Sequence, residues 1–529
     1  MLPSWEMALD GTSLIGFSRG SGREAPFRGV NATTGRVLEP PYYSCDADDV
    51  DRAVNLAVSA FGAYRALPRQ RRAEFLRQIA TRIEELGDPL LERAMEESAL
   101  LPARVRGERD RTCLQLRFFA GMVEEGSWVD ARVDTADPER RPLPKPDVRS
   151  MLRPLGPVAV FCAANFPLAF SVAGGDTASA LASGNPVVVN AHFAHPGTAE
   201  LVGTAVRDAA QATGMPEGVF SLLFGSGHQT GQALVTHPGI RAVAFTGSRR
   251  GGMALHQLAQ SRPEPIPFYA EMGSINAVFL LPGALQQAGG PMAAGLYASI
   301  NLAVGQYCTN PGVLVVPRGP AGDEFSAALA GKMRDAPPAP MLHAGILENY
   351  RRLVAARSKD ARVRAVAYAE TQDRAVPALF EVDAGVFMST PELSDEVFGP
   401  SSLMVRCGGP EDALALAEAL EGNLTASIWA GPGDEAAAAE LVAVLEAKVG
   451  RIVFQGVPTT LEICQAMVHG GPFPATSDGR STSVGGRAIE RFTRPVCFQD
   501  APDGLLPEEL RNGNPAGIWR MVNGERTRG

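Results

Sequence analysis

Lysine is the residue type that this chain most clearly lacks. Among the 49 basic residues of the 529-residue sequence only four are lysines, and the other 45 are arginines. The lysines are Lys145, Lys332, Lys359 and Lys448. A reaction that needs a side-chain amine therefore has few candidates, and none lies between Lys145 and Lys332.

Further absences narrow the class of protein. No run of about 18 apolar residues occurs, which excludes a membrane-spanning helix, and the first residues lack the layout of a secretory signal. The net charge of −9 argues against a protein that coats nucleic-acid phosphates. The seven cysteines form no CxxC pair and no zinc-ligand spacing, so neither a disulfide framework nor a metal site is predicted. These absences predict a cytoplasmic protein.

The distribution of apolar residues predicts two α/β domains. Residues 50–145 read as helical, and residues 138–157, with six prolines, read as an extended connector. From residue 156 short apolar runs alternate with helix-length segments, which is typical of a parallel sheet covered by helices on both faces. The first series of predicted strands is 158–161, 187–189, 220–224, 242–245 and 277–281. The second series is 313–316, 403–406, 426–429 and 451–454. The tail from residue 455 reads as irregular.

Polar or glycine-rich segments follow several of these predicted strands. Asn165 comes shortly after strand 158–161, where its amide could donate to a developing oxyanion. A polar turn that ends the strand is the alternative. The glycine turns at 225–231 and 246–248 could bind phosphates on backbone N–H groups, or could be plain tight turns.

Cys308 and Glu271 are the candidate reactive side chains. Cys308 lies in a small, polar, glycine-flanked loop, a setting that suits a nucleophilic thiolate better than the inert, buried role expected of the other cysteines. Glu271 follows an apolar stretch and could act as a general base or only as a capping residue. The GxSxG pattern at 16–20 has no α/β core before it, so it is not expected to hold a serine nucleophile. His192 and His195 have no third metal ligand nearby, so they are not expected to bind a metal ion.

Taken together and in order, the motifs resemble the aldehyde dehydrogenase superfamily. They are NFP at 165–167, FTGS at 245–248, EMG at 271–273, GQYC at 305–308 and EVFGP at 396–400. Longer segments, such as 142–161, 165–189 and 467–485, resemble the NADP-type branch that contains 2,5-dioxovalerate (α-ketoglutarate semialdehyde) dehydrogenases and a bacterial fatty-aldehyde dehydrogenase.

The resemblance implies a reaction through a cysteine thioester. Cys308 would attack the aldehyde, Asn165 would hold the oxyanion, and Glu271 would activate the water that hydrolyses the thioester. Glu396 and Phe398 would position the nicotinamide ribose. Gly247 and Ser248 would lie near the cofactor phosphates.

The resemblance also implies the organisation of the chain. A Rossmann-type cofactor-binding domain would comprise residues 1–137 and 152–282, and an α/β catalytic domain residues 283–480. Segments 138–151 and 481–529 would form a bridging arm that pairs copies of the chain into a homodimer or homotetramer.

The cofactor site departs from the family pattern. Where the family usually places a lysine on the adenosine ribose or its 2′-phosphate, this chain has Asn190, and two further expected phosphate contacts are replaced by Phe193 and His228. Arg249 and Arg250 are candidates to compensate. NADP is the cofactor expected from the branch, and NAD is the alternative.

Other activities stay open at this point. The substrate is expected to be 2,5-dioxovalerate, with a fatty or medium-chain aldehyde as the alternative. A CoA-acylating dehydrogenase would not need a water-activating Glu271. A scaffold with a decayed cofactor site would bind no nicotinamide at all.

Overall fold

A computed structural model describes residues 9–21, 26–370 and 372–529. The α-helices are α1 Ala47–Arg65, α2 Arg69–Glu85, α3 Gly87–Ser98, α4 Pro102–Glu125, α5 Gly175–Ala182, α6 Pro196–Ala212, α7 Gln229–Thr236, α8 Arg249–Gln260, α9 Pro282–Asn301, α10 Pro320–Asp335, α11 Ala344–Lys359, α12 Ala384–Met388, α13 Pro410–Ala419 and α14 Glu435–Leu445. The first strands are β1 Leu14–Ile15, β2 Ser18–Arg19, β3 Pro26–Val30, β4 Val37–Tyr43, β5 Arg132–Asp134, β6 Val148–Pro154, β7 Val158–Phe161, β8 Val187–Asn190, β9 Phe220–Leu223, β10 Ala242–Thr246 and β11 Phe268–Glu271. The later strands are β12 Val278–Leu280, β13 Val313–Pro317, β14 Arg364–Ala367, β15 Ala378–Asp383, β16 Ser401–Cys407, β17 Asn423–Trp429, β18 Val449–Phe454, β19 Thr493–Gln499, β20 Arg520–Val522 and β21 Glu525–Thr527.

The first large sheet has the strand order β11-β10-β7-β8-β9-β1-β2. Strands β11, β10, β7, β8 and β9 are parallel. Strand β1 pairs antiparallel with β9, and β2 forms the edge beyond it. Apolar clusters cover both faces of this sheet, one of them packed with α2, α4 and α6 and the other with α1 and α7. Burial on both faces explains why β7 reads Val-Ala-Val-Phe without alternation.

The second large sheet has the order β14-β15-β16-β13-β12-β17-β18. Its strands are parallel except for β14, which pairs antiparallel with β15 at the edge. Two further apolar clusters cover its faces. The prediction of two α/β units with parallel sheets is therefore confirmed, and the predicted strands of both series lie within two residues of the observed ones except at 426–429, where β17 begins three residues earlier.

A third sheet, of order β19-β6-β5-β20-β21, joins two distant parts of the chain. It draws on residues 132–154 and 493–527, so its strands extend beyond the segment 138–151 that was expected to bridge. Likewise, β12 lies in the second sheet although its residues precede the expected boundary at 283. A separate two-stranded ribbon pairs β3 with β4.

Two local predictions from the sequence are wrong. Residues 50–145 are not helical throughout, because α4 ends where Gly126 adopts φ 88° and the chain enters β5 at Arg132. The tail after residue 455 is not wholly irregular, since Thr493–Gln499 pairs along its whole length with β6. Within the described ranges, no helix is long and apolar enough to span a membrane.

Candidate active site

The candidate site lies where the two large sheets meet. Glu271 is the last residue of β11 in the first sheet, and the chain enters β12 of the second sheet at Val278. Cys308 lies in the loop that leads from α9 into β13, a strand that pairs with β12. The carboxyl edge of one parallel sheet therefore faces the start of the other, which is a usual place for sites in α/β proteins.

The backbone before Cys308 has an unusual conformation. Ala303, Val304 and Gly305 all have positive φ values, of 46°, 58° and 66°. A β-branched residue such as Val304 rarely adopts this conformation, which costs about 1–2 kcal/mol per residue. At Gly305 a Cβ atom would overlap the carbonyl group of Gly399, so the GQYC loop needs glycine in order to pack against the EVFGP segment.

Asn276 holds the Cys308 loop from the other side. Its Nδ2 donates to the carbonyl of Cys308 at 2.8 Å and to that of Asn310 at 2.9 Å. Its Oδ1 accepts from Ser274 at 2.8 Å and from Thr425 at 3.0 Å, which orients the amide. Asn276 is fully buried, and the sequence analysis did not single it out. Its signal in the sequence is only its nearness to the EMG motif.

Glu271 is buried, with 4% of its surface exposed, and each of its carboxylate oxygens has a partner. Oε1 lies 3.0 Å from Nε2 of His469, and Oε2 accepts from the hydroxyl of Ser483 at 2.9 Å. Burial by itself raises the pKa of Glu271, but His469, Ser483 and Cys308 together lower it below its usual value. The carboxyl group is therefore ionised at neutral pH, as a base must be.

His469 is a site residue that the sequence analysis missed. Its Nε2 lies 3.5 Å from the sulfur of Cys308 as well as 3.0 Å from Glu271, and only 1% of the residue is exposed. Because the ionised Glu271 can only accept, Nε2 carries the hydrogen. Nδ1 is buried without a hydrogen-bond partner.

The thiol of Cys308 needs a nearby base. Burial raises its pKa well above the usual value, and the charges of Glu271 and Glu396 raise it further, while Arg451 lowers it. Since the thiolate is the nucleophilic form, the proton must leave through a neighbouring group. Glu271 and His469 are both in contact with the thiol, and we refer to the three side chains as the Cys–Glu–His cluster.

Asn165 lies beside the same loop. Its Nδ2 donates to the carbonyl of Gln306 at 3.0 Å, two residues before the cysteine. Gln306 is in turn anchored by accepting from the backbone N–H of Leu342 at 3.0 Å. Together with Cys308 and Glu271, Asn165 lines one large cavity. The structure thus brings the three expected catalytic side chains together, although they lie far apart in the sequence.

The cavity has a volume of about 1440 Å³ and extends along the carboxyl edge of the first sheet. All of the residues expected to contact a cofactor line it. They are Asn190, His228, Gly247, Ser248, Glu396 and Phe398, together with Phe193, Arg249 and Arg250. Ser248 caps α8, since its hydroxyl accepts from the N–H of Gly251 at 3.2 Å, so the positive end of that helix faces the cavity.

Two observations test whether a dinucleotide suits this cavity. The Oδ1 atom of Asn190 is buried and has no hydrogen-bond partner, so a ribose hydroxyl could supply one. Glu396 lies over Gly273 so closely that a Cβ there would come within 2.5 Å of its Oε2. Burial raises the pKa of Glu396 to about 8, although a hydrogen bond from the backbone of Ser274 acts to lower it. Both residues fit hydrogen-bonding partners of a sugar.

The cationic residues near the expected 2′-phosphate position differ in their availability. Arg249 lies 3.3 Å from Glu421 and over the ring of Phe473, so its charge is already engaged. Arg250 lines the cavity and is exposed. Arg250 is therefore the better of the two compensating candidates named from the sequence.

The Cys–Glu–His cluster is also the set of side chains best placed to bind a metal ion. The sulfur, one carboxylate oxygen and one ring nitrogen all lie within 4.8 Å of one another. This grouping was not predicted, because its members are spread over about 200 residues of the chain. His192 and His195, by contrast, stack on each other with ring centroids 5.4 Å apart.

A half-buried cysteine beside a carboxylate and an asparagine amide, at a dinucleotide-sized cavity, presents the side chains that oxidation of an aldehyde through a thioester requires. Comparison with known proteins agrees: the aldehyde dehydrogenase family matches residues 19–471, and the chain belongs to this family. It is therefore an oxidoreductase that acts on aldehydes.

Individual relatives lie close in sequence. The chain is 50% identical to alpha-ketoglutaric semialdehyde dehydrogenase 2 of Azospirillum brasilense over 98% of this chain and 100% of that one. It is 45% identical to alpha-ketoglutaric semialdehyde dehydrogenase of Acinetobacter baylyi over 97% and 98%. Among solved structures, 3,6-anhydro-L-galactose dehydrogenase in complex with NAP matches with a TM-score of 0.78 and 21% identity, covering 92% of this chain and 99% of that one. The expected fold is thereby confirmed.

Proposed function

We propose that this protein oxidises 2,5-dioxovalerate to 2-oxoglutarate with a nicotinamide cofactor. The observation that carries the proposal is the contact between Cys308, His469 and Glu271 at one end of the large cavity. Two full-length relatives at 50% and 45% identity, both named for this substrate, support the choice of aldehyde.

The contacts of Cys308 account for the first step. Glu271 takes the thiol proton, and the thiolate that forms accepts a hydrogen bond from Nε2 of His469. The sulfur then adds to the aldehyde carbon, and the carbonyl oxygen becomes an oxyanion within reach of the amide of Asn165. An oxidised nicotinamide held in the cavity would supply the hydride acceptor that this adduct needs in order to become a thioester.

The contacts of Glu271 account for the second step. Its carboxyl group releases the thiol proton to solvent and becomes a base again, held in place by His469 and Ser483. It then removes a proton from water, whose oxygen attacks the thioester carbon, and the C–S bond breaks. The departing sulfur takes that proton from Glu271 and becomes the free thiol, while the acid product loses its own proton to solvent and leaves as the carboxylate. A base held at the thioester favours hydrolysis over transfer to another thiol.

NADP is the cofactor that we propose. Asn190 and Glu396 would bind the two riboses, and the start of α8 at Ser248 would face the phosphates. Arg250 is the available cation for a 2′-phosphate. Initial rates with each cofactor test this: a clear preference for NAD would contradict the assignment, and an Arg250→Ala variant should lose NADP rates selectively.

The activity is tested by a rate screen of the purified protein. 2,5-Dioxovalerate, succinate semialdehyde and a long-chain aldehyde are each offered with NAD and NADP, and the acid product is identified. We expect the highest kcat/KM with 2,5-dioxovalerate, and Cys308→Ala should bind cofactor but form no product. Turnover of long-chain aldehydes alone would replace the proposed substrate by a fatty aldehyde. Absence of nicotinamide binding in calorimetry would instead indicate a non-enzymatic scaffold.

We also propose a homo-oligomer of cytoplasmic location. The third sheet ends in β19, which pairs only with β6 among the described strands and so leaves a free edge for another copy of the chain. Light scattering after size-exclusion chromatography tests this: a monomer would contradict it. The assignment of residues 1–137 and 152–282 to cofactor binding and of 283–480 to catalysis stays a proposal of the same kind.

A further inference from the structure

The strand order of the first sheet fixes where the middle of a bound dinucleotide lies. In that sheet β10 stands between β11 and β8, and only β7 separates it from β8. Strand β8 ends at Asn190, and Gly273, just after β11, lies against Glu396. A dinucleotide whose riboses meet Asn190 and Glu396 therefore carries its diphosphate past the carboxyl end of β10. Ser248 and Arg249 line the cavity at this point.

Arg249, the first residue of α8, is engaged by side chains from outside the first sheet. Its Nη1 lies 3.3 Å from Oε2 of Glu421, and its guanidinium lies 5.4 Å from the ring centroid of Phe473. Glu421 comes just before β17 of the second sheet, and it lines the same cavity as Arg249. The ion pair therefore joins the two α/β units at the place where the diphosphate is expected.

The backbone of Glu421 is held beside the cavity by Asn423. Oδ1 of Asn423 accepts from the hydroxyl of Ser274 at 3.0 Å and from the backbone N–H of Ile275 at 2.8 Å. Its Nδ2 donates to the backbone carbonyl of Glu421 at 3.1 Å. Ser274 and Ile275 follow the EMG motif directly. The carboxylate of Glu421 is therefore positioned from the active-site side of the cavity, while its side chain can still change partner.

The ion pair between Arg249 and Glu421 is weak enough to exchange. The two side chains are 48% and 62% exposed and share a single contact, and exposed pairs of this kind contribute little because water screens their charges. A diphosphate is the stronger partner, since it carries more charge and its oxygens suit the planar fork of a guanidinium. A diphosphate at the end of β10 would therefore draw Arg249 away from Glu421.

We propose that Glu421 competes with the diphosphate of the nicotinamide cofactor for Arg249, and that their ion pair opens when the cofactor binds. Glu421 then weakens cofactor binding and helps the used cofactor to leave, because its carboxylate takes Arg249 back. The inference rests on the cofactor position given under the proposed function. It holds for any aldehyde, and for NAD and NADP alike, since both cofactors carry the diphosphate.

Calorimetry of NAD and NADP binding, without aldehyde and at low ionic strength, tests this competition. Glu421→Gln should bind both cofactors about 2- to 5-fold more tightly, the range for an exposed ion pair. Arg249→Gln should bind both about 10-fold less tightly, because a hydrogen bond to a charged group is lost. Glu418→Gln removes an equal charge from an exposed position three residues earlier, and it should bind both cofactors like the unaltered protein.

The double variant distinguishes competition from simple repulsion. In the Arg249→Gln background, Glu421→Gln should change neither affinity by more than about 1.5-fold, since Glu421 acts through Arg249. An equal gain in both backgrounds would mean that the carboxylate repels the cofactor by its own charge, and it would overturn the inference. A gain for NADP alone would place Arg249 at the 2′-phosphate and would overturn the assignment to the diphosphate.

The outcomes also separate this inference from the proposed function. If the unaltered protein binds neither cofactor, the proposed function is wrong and the inference is overturned with it. If it binds a cofactor and oxidises 2,5-dioxovalerate, but Glu421→Gln brings no gain in affinity, only the inference is overturned.

Discussion

Replacing His469 with phenylalanine removes the one N–H group that contacts both the nucleophile and the base. The thiolate of Cys308 would then lose a hydrogen bond from a donor 3.5 Å away, and Glu271 one from a donor 3.0 Å away. Phenylalanine keeps an aromatic ring in this place, where the neighbouring Phe170 ring can pack against it. The substitution therefore acts mainly on the hydrogen bonds to Cys308 and Glu271.

The size of the effect follows from these contacts. A hydrogen bond to a charged group is worth about 1.5–3 kcal/mol, so its loss should raise the thiol pKa and lower the thiolate population about 10- to 100-fold. Since 3.5 Å is a long contact, we expect the lower half of that range. At pH 7 the thiolate population, and with it the rate of attack, should fall about 10- to 30-fold.

Alkylation of Cys308 by iodoacetamide measures the thiolate directly. Because the thiol pKa lies well above its usual value, the rates should rise with pH throughout the range from pH 6 to pH 10. His469→Phe should be slower than the unaltered enzyme at each pH, with His469→Gln in between because it keeps an N–H donor. His237→Phe, which lies beside Asp51, serves as the matched control. Unchanged rates across this range in His469→Phe would refute the reasoning.

Three further predictions concern other parts of the site. Because burial raises the pKa of Glu396 to about 8, its carboxyl group is neutral at pH 7, and cofactor affinity should increase as the pH rises through 8. Calorimetry should show no such pH dependence in Glu396→Gln. If the pH dependence persists in that variant, Glu396 is not its source. Glu108→Ala leaves two buried backbone N–H groups and the guanidinium of Arg104 without their acceptor. The free energy of unfolding, measured in urea, should therefore fall by about 3–5 kcal/mol. A loss below about 1 kcal/mol would contradict the importance of these contacts. Zn²⁺ should inhibit by binding the Cys–Glu–His cluster, whose ligand atoms lie within 4.8 Å, and EDTA should reverse it; inhibition of equal strength in His469→Phe would place the metal elsewhere.

Much of the fold was predictable because its signals are local. Strands buried on both faces read as short apolar runs, and Val158–Phe161 and Val187–Asn190 were located on that basis. Helix ends were less predictable. At residue 87 the chain passes directly from α2 into α3, because Gly87 with φ 58° turns the chain between the two helices, and Pro89 lies inside the first turn of α3.

Part of the candidate site was predictable because reactive residue types stand in distinctive loops. Cys308 lies in a glycine-flanked loop and Glu271 follows an apolar stretch, and the resemblance to a family implied their roles. His469 and Ser483 lie in the segment 467–485, which also resembles the family, but nothing in the sequence distinguishes them from their neighbours there. They contact Glu271 from 198 and 212 residues further along the chain, and only folding brings them there.

By itself the sequence determined the two parallel α/β units, the enzyme family and the reactive thiol, because apolar periodicity and loop motifs depend on near neighbours. At Asn190, where the family usually has a lysine, the residue lines the cavity and its Oδ1 is buried without a hydrogen-bond partner. Only the tertiary structure decided which groups surround the thiol and influence its pKa. Those properties depend on distances of about 3–5 Å between side chains from separate elements, and burial strengthens the electrostatic interactions between these side chains.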